Sequence, residues 1–394
     1  MRTHADPLNA PLLELTHPSL PARVFRSALN RFLLLPIGVV IAMVWANTDP
    51  EAYFRFAHAA AFPVNEIVMT FFLALVAQEV YEALMPGGAL SAWRHRTLPA
   101  IAAVGGLIGA LAVYLSFVSV SHEQMLASAW PVVAAVDMAA GYYLLRLIYT
   151  RRSSVVAFML LTAVLTDAIV IAVVSVQTPR FQLHPAGAGL LLVALASAAM
   201  LRRRRVKVFW PYWLISGTLS WLAFYWMGIH PALGLVPIVP LLPHDARGGD
   251  VFADRLDGTP VHHQEHEWNG IAQVAVLLFG LVNGGVILRH ADTGTWAVLI
   301  GALVGRPLGI MAATFIAVMA GLRLPAHMRW SDIAIAALAT TCGFTFALFV
   351  GAAALPVGAV AEQVTLGALL TVVGAFVTLG FAWAVGAGRF KVKG

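Results

Sequence analysis

The sequence predicts an all-α polytopic membrane protein of about twelve transmembrane helices. Three observations predict it. Of the 394 residues, 60% are hydrophobic and only 11% are charged, where a soluble domain carries about 25% charged residues. A soluble fold of this length would be left with large exposed apolar patches. The apolar residues gather into separate runs, most of them near the roughly 17–25 residues that a bilayer span needs. Finally, Lys and Arg collect in alternate connections between the runs.

In chain order the runs cover about 31–47, 63–84, 97–118, 127–147, 154–175, 186–201, 209–226, 228–242, 268–289, 295–320, 331–354 and 363–387. Met1 to Arg31 has no positive, apolar and cleavage-site succession, so the first run reads as a retained span. Arg23, Arg26 and Arg31 precede it. Arg94 and Arg96 follow the second run, and Arg151 and Arg152 the fourth. Arg202, Arg203, Arg204, Arg205 and Lys207 follow the sixth, Arg247 and Arg255 the eighth, and Arg323 and Arg329 the tenth. Arg389, Lys391 and Lys393 end the chain, whereas the opposite connections hold only Arg55, Arg180 and Arg289. By the positive-inside rule both termini are cytoplasmic, which requires an even number of spans. The net charge of +6 therefore reflects cytoplasmic loops and calls for no nucleic acid. The single cysteine, Cys342, excludes an intramolecular disulfide and a multi-cysteine metal site. No cofactor is expected.

Asp167 is the costliest residue on this map. It lies just past the centre of the fifth run, Val155 to Val174. A carboxylate at that depth costs at least about 2.5 kcal/mol on insertion scales, and it marks an ion or proton path or a buried pair. Thr166 beside it offers a further oxygen. Asp137 is a second intramembrane carboxylate, in Val136-Asp137-Met138-Ala139-Ala140-Gly141, where small residues permit close helix approach or local unwinding. Arg306 is a lone cation in Gly305-Arg306-Pro307-Leu308-Gly309 and needs an acidic or carbonyl partner. Gly301, Gly305 and Gly309 recur every four residues and form one smooth face. Thr340-Thr341-Cys342-Gly343-Phe344-Thr345 at mid-run suggests a broken helix whose hydroxyl and carbonyl oxygens face inward, and hard cations prefer oxygen ligands. Thr340, Thr341 and Thr345 are its candidate lining residues, with bonds to their own helix as the plain alternative.

These blocks resemble the NhaA-type sodium/proton antiporter family over about 32–390. The resemblance rests on Gly305-Arg306-Pro307-Leu308-Gly309-Ile310, Cys342-Gly343-Phe344-Thr345, Ala134-Ala135-Val136-Asp137, Gly228-Ile229-His230-Pro231-Ala232-Leu233, and Phe71-Phe72-Leu73 with Glu79-Val80, in order and spacing. It implies two inverted repeats with two broken helices crossing at mid-membrane. It implies a single transmembrane antiporter domain over 31–388, with a core at about 97–175 and 295–387 and an interface or scaffold at about 31–84 and 186–289. A cytoplasmic segment 1–30 and a tail 389–394 flank it. Asp137 would compensate the positive half-helix ends and Arg306 the negative ones, and Asp167 would bind Na⁺ (or Li⁺) and H⁺ in alternation. A bacterial inner-membrane location follows, as does a homodimer paired through a β-hairpin between Asn47 and Pro63.

The sequence departs from the family pattern at the site itself. Thr166 stands where the family has a first aspartate, Arg306 where it has a lysine, Val136 where it has a threonine, and Tyr81-Glu82 where it has a basic pair. One carboxylate and a permanently charged arginine favour exchange of one H⁺ for one Na⁺. Two rivals are a transporter of another substrate on the same scaffold, and a non-transporting membrane sensor.

One further motif, His262-His263-Gln264-Glu265-His266, matches the H-x-x-E-H pattern of inverted zinc peptidases. It sits at the cytoplasmic mouth of the ninth run rather than on a helix within a site. A solvated, proton-sensitive funnel of Glu79, Glu82, Glu267, His230, His263 and His266 is the expectation.

Overall fold

The computed structural model describes residues 34–84, 93–150, 153–177, 184–206, 208–242, 273–325, 328–355 and 358–390. Among these residues the chain is helical, without strands. It is an all-α polytopic membrane protein. Six helices are long and apolar enough to cross a bilayer, and a bent pair makes a seventh. The spans are Pro50–Ala74, Thr97–Ser121, Ser154–Val173, Pro185–Arg203, Thr293–Met319 and Ala359–Phe390, with shorter apolar helices at Leu34–Thr48 and Gln273–Asn283.

Among the described residues the first helix is α1 (Leu34–Thr48), and Asp49 separates it from α2 (Pro50–Phe62). The β-hairpin expected between Asn47 and Pro63 is absent. Asp49 caps α2 by accepting from the Ala52 N–H at 3.1 Å, and Pro50 supplies the preset φ of a first helical residue. The alanine-rich stretch that follows then propagates the helix. A π turn at Pro63–Val68 leads directly into α3 (Met69–Leu84). Eighth in the sequence pattern, the run 228–242 does not form a spanning helix. It folds as short 3₁₀ turns at Pro231–Leu233 and Val239–Leu241, because Pro231, Pro237 and Pro240 deny it amide donors.

Two stretches share one order of elements. In the first, α4 (Trp93–Ser121) is followed by α5 (Trp130–Ala134), a break, α6 (Met138–Ile148) and α7 (Ser154–Gln177). After α8 (Pro185–Arg203), α9 (Thr218–Trp226) and α10 (Gln273–Asn283), the order recurs. There α11 (Thr293–Ile300) continues through a π turn at Gly301–Gly305 into α12 (Arg306–Met319). A broken pair follows, α13 (Trp330–Ala339) and α14 (Phe344–Ala354), bent by 47°. The segments α15 (Ala359–Leu370) and α16 (Val373–Ala384) close it.

The two stretches run antiparallel. Gly105 faces Gly309 and Ala313, Gly109 faces Gly305, and Gly301 faces Ala110 and Tyr114. The broken pairs repeat this sense, with Val132 against Gly351, Ala135 against Gly343, and Gly141 against Ala339. An inverted arrangement thus follows from the contacts themselves. Its seam is backbone on backbone. A methyl added at Gly309 would lie 2.1 Å from the Gly105 carbonyl oxygen, and one at Gly109 2.3 Å from that of Gly305.

Gly309→Ala is expected to destabilise the folded protein by about 1–3 kcal/mol, the usual cost of overpacking. Thermal unfolding in detergent reads this as a lowered Tm. Gly380→Ala is the control, since nothing lies within 4 Å of the methyl it would add. Equal Tm values for the two variants would contradict the seam.

Candidate functional site

The two breaks, 135–137 and 340–343, meet at the centre of the inverted pair. The Asp137 N–H donates to the Cys342 carbonyl at 2.9 Å. Four half-helix ends converge there, each with backbone groups that no helix satisfies.

Asp137 serves the two N-terminal ends. It is the N-cap of α6, where Oδ1 accepts from the Ala140 N–H at 2.9 Å. Its Oδ2 reaches α14, accepting from the Thr345 N–H at 3.3 Å and from the Thr345 hydroxyl. Arg306 serves the two C-terminal ends. One guanidinium nitrogen donates to the Thr340 carbonyl, at the end of α13, at 2.6 Å. The other donates to the carbonyls of Val133 and Ala135, at the end of α5, the latter at 2.7 Å. Arg306 is 2% exposed, and among the described residues none of its hydrogen bonds goes to a carboxylate. The requirement for a partner is met by carbonyls.

The charges at the crossing nearly balance. Each helix end carries roughly half an elementary charge. Two positive ends sum to about +1 beside the Asp137 carboxylate, and two negative ends to about −1 beside the Arg306 guanidinium. Asp167 adds one further carboxylate beside these charges. It lies on α7, is only partly buried, and accepts one hydrogen bond, from the Val136 N–H in the first break at 3.0 Å. A carboxylate has about four lone-pair positions, and a single described contact uses one of them.

The threonines divide. Thr345 is drawn into the site through Asp137. Thr340 contributes its carbonyl, while its hydroxyl donates to Ala337 O at 2.7 Å. The hydroxyls of Thr341 and Thr166 also turn to their own helices, donating to Leu338 O at 2.7 Å and Thr162 O at 2.8 Å. Thr166 is buried beside Asp167 without a hydrogen bond to it.

His230 lies away from the predicted funnel. Its Nδ1 is 3.3 Å from Glu66 Oε2, and its ring lies 5.2 Å from that of Phe349. Glu66 precedes Glu79 by thirteen residues of continuous helix, about 20 Å at 1.5 Å per residue. His230 therefore does not share a mouth with Glu79 and Glu82. The side chains of Glu79 and Glu82 lie outside the described residues, as do His262, His263, Glu265, His266 and Glu267. The zinc and funnel expectations at 262–266 therefore also lie outside the described residues. Among the described residues no cluster of three or more His, Cys, Asp or Glu could hold a metal ion.

Sequence reasoning expected carbonyls at the second break but missed the other main-chain groups that build this site: the carbonyls of Val133 and Ala135 and the N–H groups of Val136 and Gly343. No side-chain pattern announces them. It also passed over Thr371, whose hydroxyl accepts from the Gly343 N–H at 3.3 Å. A hydroxyl inside the apolar run 363–387 was the available signal.

The family model described as Na⁺/H⁺ antiporter 1 matches residues 22–383. The chain is similar to the Na⁺/H⁺ antiporter NhaA of Desulfitobacterium hafniense, 33% identical over 368 residues, covering 91% of this chain and 95% of that protein. It is 35% identical to the protein of the same name from Geobacter metallireducens over 345 residues, covering 85% and 90%. With the one from Jannaschia sp. the identity is 32% over 403 residues, covering 89% and 94%.

Arg306→Met is expected to lower the Tm in detergent, because each buried carbonyl left without a donor costs about 1–3 kcal/mol. Arg306→Lys should recover only part of the loss, since an ammonium lacks the planar fork that spans both half-helices. A methionine variant as stable as the wild type would show that the guanidinium does not hold the crossing.

Proposed function

The chain belongs to the Na⁺/H⁺ antiporter 1 family, and on that premise we propose that it is a secondary Na⁺/H⁺ antiporter and not an enzyme. The observation that carries this is the carboxylate of Asp167, placed at the crossing and held by one backbone N–H. A single negative charge there is neutralised equally by one Na⁺ (or Li⁺) or by one H⁺, so the two compete. Each occupant removes the charge that is costly to carry through an apolar region. Occupied by either ion, the site is near neutral and can be exposed to the other side of the membrane. Alternating access then couples the two gradients.

The exchange is electroneutral. Arginine does not release its proton in practice, and Thr166 does not ionise, so Asp167 supplies the one proton traded for one Na⁺. Thr166 keeps its lone pairs for a cation while its own proton is spent on Thr162. Asp137 and Arg306 set the field at the crossing and bind no cargo.

The protein works as a multi-pass protein of a bacterial inner membrane, with both termini cytoplasmic. We also propose that Glu79, Glu82, His263 and His266 draw cations toward the site from the cytoplasmic side. A homodimer, if formed, does not use the segment before Pro63 as a β-hairpin, because that segment is α2.

In proteoliposomes, Na⁺ is expected to dissipate an imposed pH gradient at a rate that an imposed membrane potential does not change. Asp167→Asn should abolish the activity. A Na⁺-driven current that reverses with potential would overturn electroneutrality. The absence of any Na⁺-, Li⁺- or K⁺-dependent pH change in the wild type would overturn antiport.

A further inference from the structure

The two breaks are held in the same way by unlike groups. In the first, the Val136 N–H donates to Asp167 Oδ1 at 3.0 Å. In the second, the Gly343 N–H donates to Thr371 Oγ1 at 3.3 Å. Asp167 lies on α7, which follows the first broken pair, and Thr371 lies between α15 and α16, which follow the second. Thr371 therefore occupies, in the inverted repeat, the place that Asp167 occupies in the first.

The local geometry fits a dedicated role. Thr371 is 2% exposed and donates its own hydroxyl proton to Ala368 O at 2.6 Å. That leaves the oxygen free to accept from Gly343. The turn at Thr371 also brings Gly374 against the second break, where an added methyl would fall 2.1 Å from Thr341 Oγ1. A larger residue at position 374 would push this turn off the break.

We infer that Thr371 is a positioning residue for the Asp167 site, acting by anchoring the second break through Gly343. Through that anchor it fixes the Cys342 carbonyl that holds Asp137 and the Thr340 carbonyl that holds Arg306. The two repeats thereby divide the work. The first break is tied to a carboxylate whose charge changes when Na⁺ or H⁺ binds, so its tether responds to the ion. The second is tied to a neutral hydroxyl that neither ion alters, so it serves as the fixed partner of the pair.

The inference rests on the antiport reading. Its test measures Na⁺-dependent pH changes in proteoliposomes for the wild type and for Thr371→Val, Thr371→Ala and Thr371→Ser. Thr371→Val and Thr371→Ala remove the acceptor and are expected to raise the Na⁺ concentration for half-maximal activity about five-fold, the effect of one lost hydrogen bond. They should also displace the pH profile. Thr371→Ser keeps the acceptor and should retain wild-type values, and Thr371→Ala gives the same answer should the valine variant not accumulate. Val and Ala variants with wild-type half-saturation and pH profile, reduced only in the amount of folded protein, would overturn the inference. A serine variant as impaired as valine would do so too. A wild type inactive with every cation would instead sink the antiport reading itself, and this inference with it.

Discussion

Everything at the centre of this protein depends on one planar cation reaching two broken helices at once. Half-helices that end inside a membrane present carbonyls with no helical partner and no bulk water. Arg306 satisfies three of them, on α5 and α13, with the two terminal nitrogens of its fork. It can do so because α12 lies against α4 along a seam of glycines with no side chain between the backbones. Close packing there is thus a precondition for the electrostatics of the crossing. Asp137 performs the opposite task at the two N-terminal ends. Together the pair offsets the dipole charge of four helix ends, and the Asp167 carboxylate lies beside them.

Symmetry of the fold and asymmetry of the chemistry meet at the two tethers. The inverted stretches match in order, in antiparallel contact and in the hydrogen bond that each sends from its break to a later helix. They differ in what receives that bond: a carboxylate on α7, a hydroxyl between α15 and α16. The first tether therefore ends on a group that can change its charge, and the second on one that cannot. Thr166, next to Asp167, does not ionise. Its hydroxyl, turned to Thr162, adds no charge.

The costly residues were legible in the sequence, and their surroundings were not. Asp137, Asp167 and Arg306 stand out because a charge in an apolar run carries a large penalty, and their placement at or beside the breaks follows from that penalty. Glycines four apart announced the seam. The half-helix ends were legible only as small residues around Asp137 and threonines around Gly343, and the carbonyls and N–H groups that make the site carry no side-chain signature. Elsewhere, local chemistry overruled pattern. The stretch from Asn47 to Pro63 was expected as a β-hairpin, and Asp49-Pro50 there starts a helix. The run 228–242 is apolar enough to span, but its prolines break it into 3₁₀ turns. His230 was grouped with Glu79 by chemistry alone, and the helix carrying Glu66 separates them.

The central claim is that one carboxylate, Asp167, exchanges one proton for one sodium ion. It is tested most directly by counting protons released when Na⁺ is added to the purified protein in weakly buffered detergent solution, with bound Na⁺ measured in parallel. One proton per Na⁺ bound in the wild type, and none in Asp167→Asn, is the predicted result. Two protons per Na⁺, or release that persists in Asp167→Asn, would contradict it and assign a second titrating group to the site.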